Sequence, residues 1–265
     1  MMLTADRADH SVKLSKMKNK KLQLFLIAFF SIIAIALLLF RQKASPFSAD
    51  RGGAVRAADI PEKIVVGDVI SFGRYEQDND TENGAEAIEW QVLAREDDRA
   101  LLISRYALDA KPYNDKWTRV TWESSSLRKW LNGEFYNRAF DPAEQNRILK
   151  VTNKNPDNPT TGIKGGNDTE DRIFLLSIDE ANSYFDTDDL RQGIGSAYAM
   201  ANGSYINEYN GDSWWWLRSR GSTSKTASLV CFSGYVNMVG YGVNNAGGYL
   251  RPVFWLDLHP ADELM

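Results

Sequence analysis

The 265-residue sequence predicts an α+β fold of mostly antiparallel short strands with a few helices, preceded by one N-terminal transmembrane helix. Three observations predict this class. A nearly unbroken apolar run covers residues 22–40, an alternating strand pattern begins at Val65, and Trp-, Tyr- and Val-rich segments separated by glycines fill the C-terminal third. Because strands, helices, a long loop and further strands follow one another, we expect the helices to cover one side of the sheet.

The apolar run at residues 22–40 is interrupted only by Gln23 and Ser31. At a rise of about 1.5 Å per residue, a helix of this length spans the hydrocarbon core of a bilayer. Five lysines precede the run, and two basic residues, Arg41 and Lys43, follow it. The excess of basic residues before the run predicts a single-pass protein of the cell membrane with a cytoplasmic N-terminus and an extracytoplasmic C-terminal domain. A cleaved signal peptide is the alternative, but basic residues stand where a small-residue cleavage site is expected.

These observations divide the chain into five segments. We expect a cytoplasmic N-terminus at 1–21, the transmembrane helix at 22–40, a flexible stalk at 41–62, an exported domain at 63–258 and a C-terminal tail at 259–265.

Charge restricts the partners of the predicted exported domain. Residues 1–43 contain eight Lys and Arg against two Asp and Glu, whereas the whole chain has a net charge of −4, which leaves about −10 on residues 44–265. Nucleic acid requires a basic surface, so we expect no nucleic-acid partner. Membrane contact is expected through the one helix, and the ligand is expected to be a glycan, a cell-wall component or a protein.

Cysteine and histidine usage excludes several kinds of chemistry. Cys231 is the only cysteine, so no intramolecular disulfide is possible, and its apolar surroundings favour a buried strand position. The two histidines, His10 and His259, leave the region between them with none. Nucleophile systems and zinc sites that depend on histidine are therefore excluded from that region.

Local patterns predict several individual elements. The segment from Ile88 to Asp109 is expected to form two strands about a turn at 96–99, and a helix is expected to begin after Ser124 or Ser125. Ser177 and Glu180 have the spacing of a capping box at the start of another helix. Residues 153–171 are rich in Asn, Gly, Pro and Asp, which is typical of a long loop.

Several ordered motifs resemble a bacterial family of domains of unknown function. The sequence has Trp215-Trp216-Leu217-Arg218-Ser219 followed by Gly221, and it ends its last strand with Leu250-Arg251-Pro252-Val253-Phe254-Trp255-Leu256. Upstream motifs such as Ile88-Glu89-Trp90 and Phe174-Leu175-Leu176-Ser177 extend the resemblance from about Val65 to Leu256. The family resembles the C-type-lectin-like fold that formylglycine-generating enzymes share, and this resemblance implies that fold here.

The sequence departs from this family pattern at Arg220, where proline is common, and at Ala110, where cysteine is frequent. The copper-dependent enzymes of the wider superfamily require two cysteines. A single cysteine does not supply them, so their activity is not carried over.

The C-terminal third contains the predicted ligand-binding residues. Aromatic side chains offer flat apolar faces, Asn supplies hydrogen bonds, and Arg recognises anions. The competing interpretation is packing for the tryptophans, a satisfied buried guanidinium for Arg218 and ordinary turns for the Asn and Gly positions. The candidates are Trp214, Trp216, Arg218, Asn237, Tyr241, Asn244, Asn245 and Tyr249.

Two oxygen-rich segments resemble calcium loops. No cofactor is expected, and calcium is the alternative, for which Asn167, Asp168, Glu170 and Asp171 of the long loop are the predicted metal ligands. In the second segment, acidic residues occupy positions 1, 3, 5, 9 and 12 of the window 78–89, but Asn83 replaces the required glycine and the window lies within a predicted hairpin. For both segments a solvated loop is the alternative.

We expect a membrane-anchored, extracytoplasmic, non-catalytic ligand-binding module. No spacing identifies a pair of catalytic carboxylates, so no catalytic residue is assigned. The alternatives are a divergent enzyme of the formylglycine-generating-like superfamily and a structural component of an envelope assembly.

Overall fold

The computed structural model describes residues 63–203 and 212–259. Within these ranges the chain is rich in sheet, and four separate sheets contribute to it. The two larger sheets provide many of the buried core residues, and short helices lie between their strands in sequence.

The first sheet is antiparallel and brings together the two ends of the described chain. Its strands, in spatial order, are β1 (Val69–Tyr75), β2 (Glu86–Glu96), β3 (Arg99–Ser104) and β14 (Val253–Asp257). The turn between β2 and β3 lies where the sequence predicts it, because two polar residues, Asp97 and Asp98, separate two apolar runs.

The second sheet contains the C-terminal motifs. Its spatial order is β12 (Val236–Gly242), β11 (Thr226–Val230), β10 (Trp215–Arg220), β13 (Tyr249–Leu250) and β5 (Asp109–Ala110). The pair β10–β13 is parallel and the other pairs are antiparallel. Strand β12 lies at the edge of this sheet, where the Val239 carbonyl oxygen accepts from the Ser222 amide and the Met238 carbonyl oxygen from Asn158 Nδ2, both at 2.8 Å.

Two small sheets complete the strand inventory of the described residues. One contains β4 (Tyr106–Ala107), β8 (Gly193–Gly195) and β9 (Asp212–Ser213), and the other contains β6 (Val151–Asn153) and β7 (Thr169–Asp171). The long loop predicted at 153–171 therefore begins and ends in paired strands.

The helices are short because each is closed by caps or by a change of helix type. α1 (Ser126–Trp130) continues through a π-helical turn (Leu131–Phe135) into α2 (Tyr136–Ala139), and the next helices are α3 (Pro142–Arg147), α4 (Ile178–Tyr184), α5 (Asp188–Arg191) and α6 (Ala197–Asn202). The predicted capping box of α4 is confirmed, since Ser177 accepts from the Glu180 amide and Glu180 from the Ser177 amide.

One aromatic cluster lies behind the first sheet. Trp90 is fully buried and donates from Nε1 to the Phe72 carbonyl oxygen at 2.6 Å. Its ring meets Phe254 edge to face at 4.7 Å, and Phe140 packs against both. Phe254 of the last strand, β14, therefore completes the core that packs against β1 and β2.

The predicted fold class requires correction. The sequence predicted an α+β, C-type-lectin-like fold behind a transmembrane helix, whereas the described residues form a sheet-rich structure with few helices. Among those residues no helix is long and apolar enough to cross a membrane, and the longest α-helix, α4, has only seven residues. A span needs about 20 residues. The predicted segments 1–21, 22–40 and 41–62 lie outside the described residues.

Candidate functional site

The aromatic residues predicted to bind a ligand form a ladder that runs from the core to the surface. Trp216 is fully buried, Trp214 is 6 % exposed and Tyr241 is 43 % exposed. The Trp214 ring meets Trp216 edge to face at 4.8 Å and Tyr241 edge to face at 5.1 Å. Buried indoles thus hold the exposed Tyr241 ring in place, and Tyr241 is the member of the ladder that offers a ligand substantial surface.

An exposed tryptophan that the sequence pattern did not indicate lies at the same end of β12. Trp117 approaches Gly242 so closely that a Cβ there would stand 2.6 Å from its ring, and Lys225 Nζ lies 5.5 Å from the ring centroid. The Asn114 amide donates to the Val243 carbonyl oxygen at 2.8 Å and ties the Trp117 loop to β12. The sequence around Trp117 is a polar loop and did not indicate a functional residue. The contact of Trp117 depends on Gly242, which is far away in sequence.

Two of the three predicted asparagines are exposed just beyond Tyr241. Asn244 and Asn245 follow the end of β12, and Asn245 Oδ1 accepts from the Gly247 amide at 2.9 Å. We define the Tyr241 surface as Tyr241, Asn244 and Asn245. Trp117 and Lys225 lie beside Gly242, whose side of β12 alternates with that of Tyr241. Asn237 lies farther along β12, where its Oδ1 accepts from the Val239 and Gly240 amides, both at 3.0 Å, as a turn residue does.

Arg218 and Tyr249 occupy buried positions with internal contacts. The Arg218 guanidinium forms a two-pronged ion pair with Glu180 and donates to the Leu175 and Lys154 carbonyl oxygens at 2.8 and 2.9 Å. Tyr249 is fully buried and packs near Gly203. These two side chains connect α4 and α6 to the second sheet and lie away from open solvent.

The predicted metal ligands of the long loop are divided among separate contacts. Asp168 pairs with Lys154 at 2.5 Å, and Glu170 pairs with Lys150 at 2.5 Å. The hydrogen bond from Lys154 holds the pKa of the Asp168 carboxyl below its usual value. Asn167 Nδ2 donates to Glu123 at 3.0 Å. Calcium binding here stays a prediction, and lysines already neutralise two of its carboxylates.

Asp171 forms the centre of a buried network. It accepts from Trp122 Nε1 at 3.0 Å, Arg128 Nε at 2.5 Å, Asn153 Nδ2 at 3.1 Å and Thr169 Oγ1 at 2.7 Å. Its two carboxylate oxygens are thereby occupied, which favours a structural role for this predicted ligand.

A different set of acidic residues converges at the β1–β2 hairpin. One carboxylate oxygen from each of Glu76, Asp78 and Glu86 lies within 4.8 Å of the others. Asp78 and Glu86 belong to the acidic window 78–89, but the buried Glu76 precedes that window. The sequence pattern did not indicate Glu76, because strand alternation suggests exposure next to the buried Tyr75.

Comparison with known proteins provides one match. The model of a family described as a domain of unknown function, DUF6273, matches residues 97–258. The chain belongs to the DUF6273 family. The predicted membership of a family of unknown function is therefore confirmed. No curated protein and no solved structure matches the chain.

The DUF6273 region begins in the turn between β2 and β3 and ends after β14. It contains the whole Tyr241 surface and the ladder beneath it. The three carboxylates of the β1–β2 hairpin precede it. The two candidate sites therefore lie on different parts of the chain relative to the DUF6273 match.

Proposed function

We propose that this protein is a non-catalytic ligand-binding module that binds a glycan of the cell envelope through the Tyr241 surface. The observation that supports this most is the exposed Tyr241 ring, which is held edge to face by the nearly buried Trp214. A ring that is already fixed loses little conformational entropy when a sugar stacks on it.

The chemistry around Tyr241 suits a neutral sugar. A pyranose has an apolar face that packs on an aromatic ring and hydroxyl groups that form hydrogen bonds at its edge. Asn244 and Asn245 supply amide donors and acceptors.

The charge of the chain is consistent with this class of partner. About −10 resides on residues 44–265, which disfavours nucleic acid and anionic lipid head groups. A neutral or amino-bearing glycan experiences no such repulsion. An extracytoplasmic location at the cell membrane stays a prediction and is part of this proposal.

The test is saturable binding of the purified protein to isolated bacterial cell walls and to a panel of soluble oligosaccharides. We expect Tyr241→Ala to weaken binding about two- to tenfold, because an aromatic contact contributes about 0.5–1.5 kcal/mol. Tyr235→Ala is the matched control, since Tyr235 precedes β12 at its other end and is 59 % exposed. Equal affinity of the two variants, or no saturable binding by the wild type, would contradict the proposal.

A further inference from the structure

We propose that Glu76, Asp78 and Glu86 bind one calcium ion in the β1–β2 hairpin. This site is separate from the Tyr241 surface, and the inference does not depend on the proposed glycan-binding function. Three observations support it: the convergence of the carboxylates, the burial of Glu76 and the absence of a neutralising side chain among the described residues.

The register of the hairpin produces the convergence. Tyr75, the last residue of β1, pairs with Glu86, the first residue of β2, so Glu76 lies immediately beyond this pair. Glu86 Oε2 accepts from the Gln77 amide at 2.7 Å and from the Asp78 amide at 3.3 Å. The backbone is therefore folded around Glu86, and this brings all three carboxylates within 4.8 Å of one another.

Glu76 is the independent observation that points to a ligand. Its side chain is only 3 % exposed, and its Oε1 is buried with no hydrogen-bond partner among the described residues. A buried carboxylate oxygen without a donor or a cation is costly. The adjacent Gln77 also has a buried Oε1 without a partner in the described part of the chain.

The cluster has no basic partner in the part of the chain that the structure describes. Among residues 63–203 and 212–259, no Lys or Arg forms an ion pair with any of the three. By contrast, Asp168 and Glu170 of the long loop each have a lysine.

The donor set favours calcium among divalent ions. All three ligands are carboxylates, and the cluster includes no histidine or cysteine, the ligands on which zinc and softer metals depend. Calcium accepts about 6–8 oxygen ligands in irregular geometry, and carbonyl groups and water complete such a shell. Magnesium demands a near-ideal octahedron, which a hairpin turn with one buried and two half-buried carboxylates does not prearrange.

The experiment is calorimetric titration of the full chain, freed of metal by chelator and dialysis, with calcium chloride. We expect one saturable site per chain and at least tenfold weaker binding in Glu86→Gln, which keeps the size of the side chain. Glu82→Gln is the matched control, because Glu82 is an exposed residue of the same hairpin outside the cluster. Its affinity should equal that of the wild type.

A second variant makes the location falsifiable even if Glu86→Gln folds poorly. Asp78→Asn should also lose calcium affinity, whereas Asp168→Asn, in the long loop, should retain it. Absence of saturable binding by the wild type, loss in Asp168→Asn with retention in Asp78→Asn, or equal affinity for magnesium would overturn the proposal. Oligosaccharide binding is measured on the same samples, so failure of the metal site and failure of the Tyr241 surface are distinguished.

Discussion

Trp214 and Tyr241 touch each other edge to face, yet one is nearly buried and the other is nearly half exposed. At the scale of single residues, this difference separates packing from recognition. Removal of a buried indole leaves a cavity in the core. Removal of an exposed ring brings little additional apolar surface into contact with water. The two side chains therefore predict different consequences for the stability of the protein.

We expect Trp214→Ala to lower the free energy of unfolding by about 3–5 kcal/mol, the range for large aromatic side chains in cores. Tyr241→Ala should lower it by less than about 1 kcal/mol, since exposed positions tolerate substitution. Urea unfolding monitored by circular dichroism measures both values. Similar losses in the two variants would mean that Tyr241 is a packing residue.

Asp109 provides a prediction about pH. Burial raises the pKa of its carboxyl, and the 2.7 Å hydrogen bond from the Tyr75 hydroxyl opposes the shift only in part. The folded state therefore binds the proton more tightly than the unfolded state does. Its contribution to stability is full below the ordinary pKa of about 4 and is lost as pH rises through the folded value.

Asp109→Asn removes this titration and retains an oxygen acceptor for Tyr75. We expect the stability of the variant relative to the wild type to improve as pH rises from about 4 to 7. Urea unfolding of both proteins at several pH values gives the difference directly. If the difference in unfolding free energy between the two proteins does not change with pH, Asp109 has the same pKa in the folded and unfolded states.

At the scale of elements, the turn between β11 and β12 helps to position α5. Gly234, in this turn, has a φ of +82°, and a Cβ there would overlap the carbonyl group of Asp188 in α5. Arg191 of α5 donates to the Gly234 carbonyl oxygen at 3.0 Å. The absence of a side chain at Gly234 thus allows α5 to dock on the hairpin.

We expect Gly234→Ala to lower the free energy of unfolding by about 3–5 kcal/mol, because left-handed strain and overpacking add. Gly67→Ala is the control, since Gly67 has a φ of +94° and no atom lies within 4 Å of the position that a Cβ would take. It should cost only about 1–2 kcal/mol. Equal losses in the two variants, measured by urea unfolding, would mean that contact with Asp188 contributes nothing.

At the scale of the whole molecule, three of the four sheets of the described residues contribute to one core, and β6 adds only the partly buried Val151 at its margin. All the buried apolar residues except Tyr106 form a single cluster that extends from Ile64 to Leu256. Arg251 links the sheets: it donates from Nε to the Ser104 carbonyl oxygen at 3.0 Å and lies over the Trp215 ring at 5.2 Å. Burial lowers the pKa of Arg251 to about 10, so its guanidinium stays charged at neutral pH.

We expect residues 63–259 to unfold in one cooperative transition, because no sheet has a core of its own. Tryptophan fluorescence reports on both large sheets, and far-ultraviolet circular dichroism reports on the backbone. Coincident urea transitions by the two methods are the expected result. Two separated transitions would show that the sheets are independent units.

The sequence by itself determined the local structure of this protein and its family. Capping residues, turns and alternating strands depend on neighbours in the chain, so the β2–β3 hairpin and the capping box of α4 were predicted correctly. The ordered motifs identified a family of unknown function for the same reason. The predicted ligand-binding set did include Tyr241, but no local pattern distinguished it from Trp216.

Only the tertiary structure decided which of these side chains meet water and which meet each other. Exposure depends on contacts between distant segments, as when β14 completes the first sheet or Trp117 covers Gly242. The lectin-like fold class was wrong because the packing of sheets does not follow from the order of elements. The cluster of Glu76, Asp78 and Glu86 emerged for the same reason, since the register of a hairpin determines which carboxylates converge.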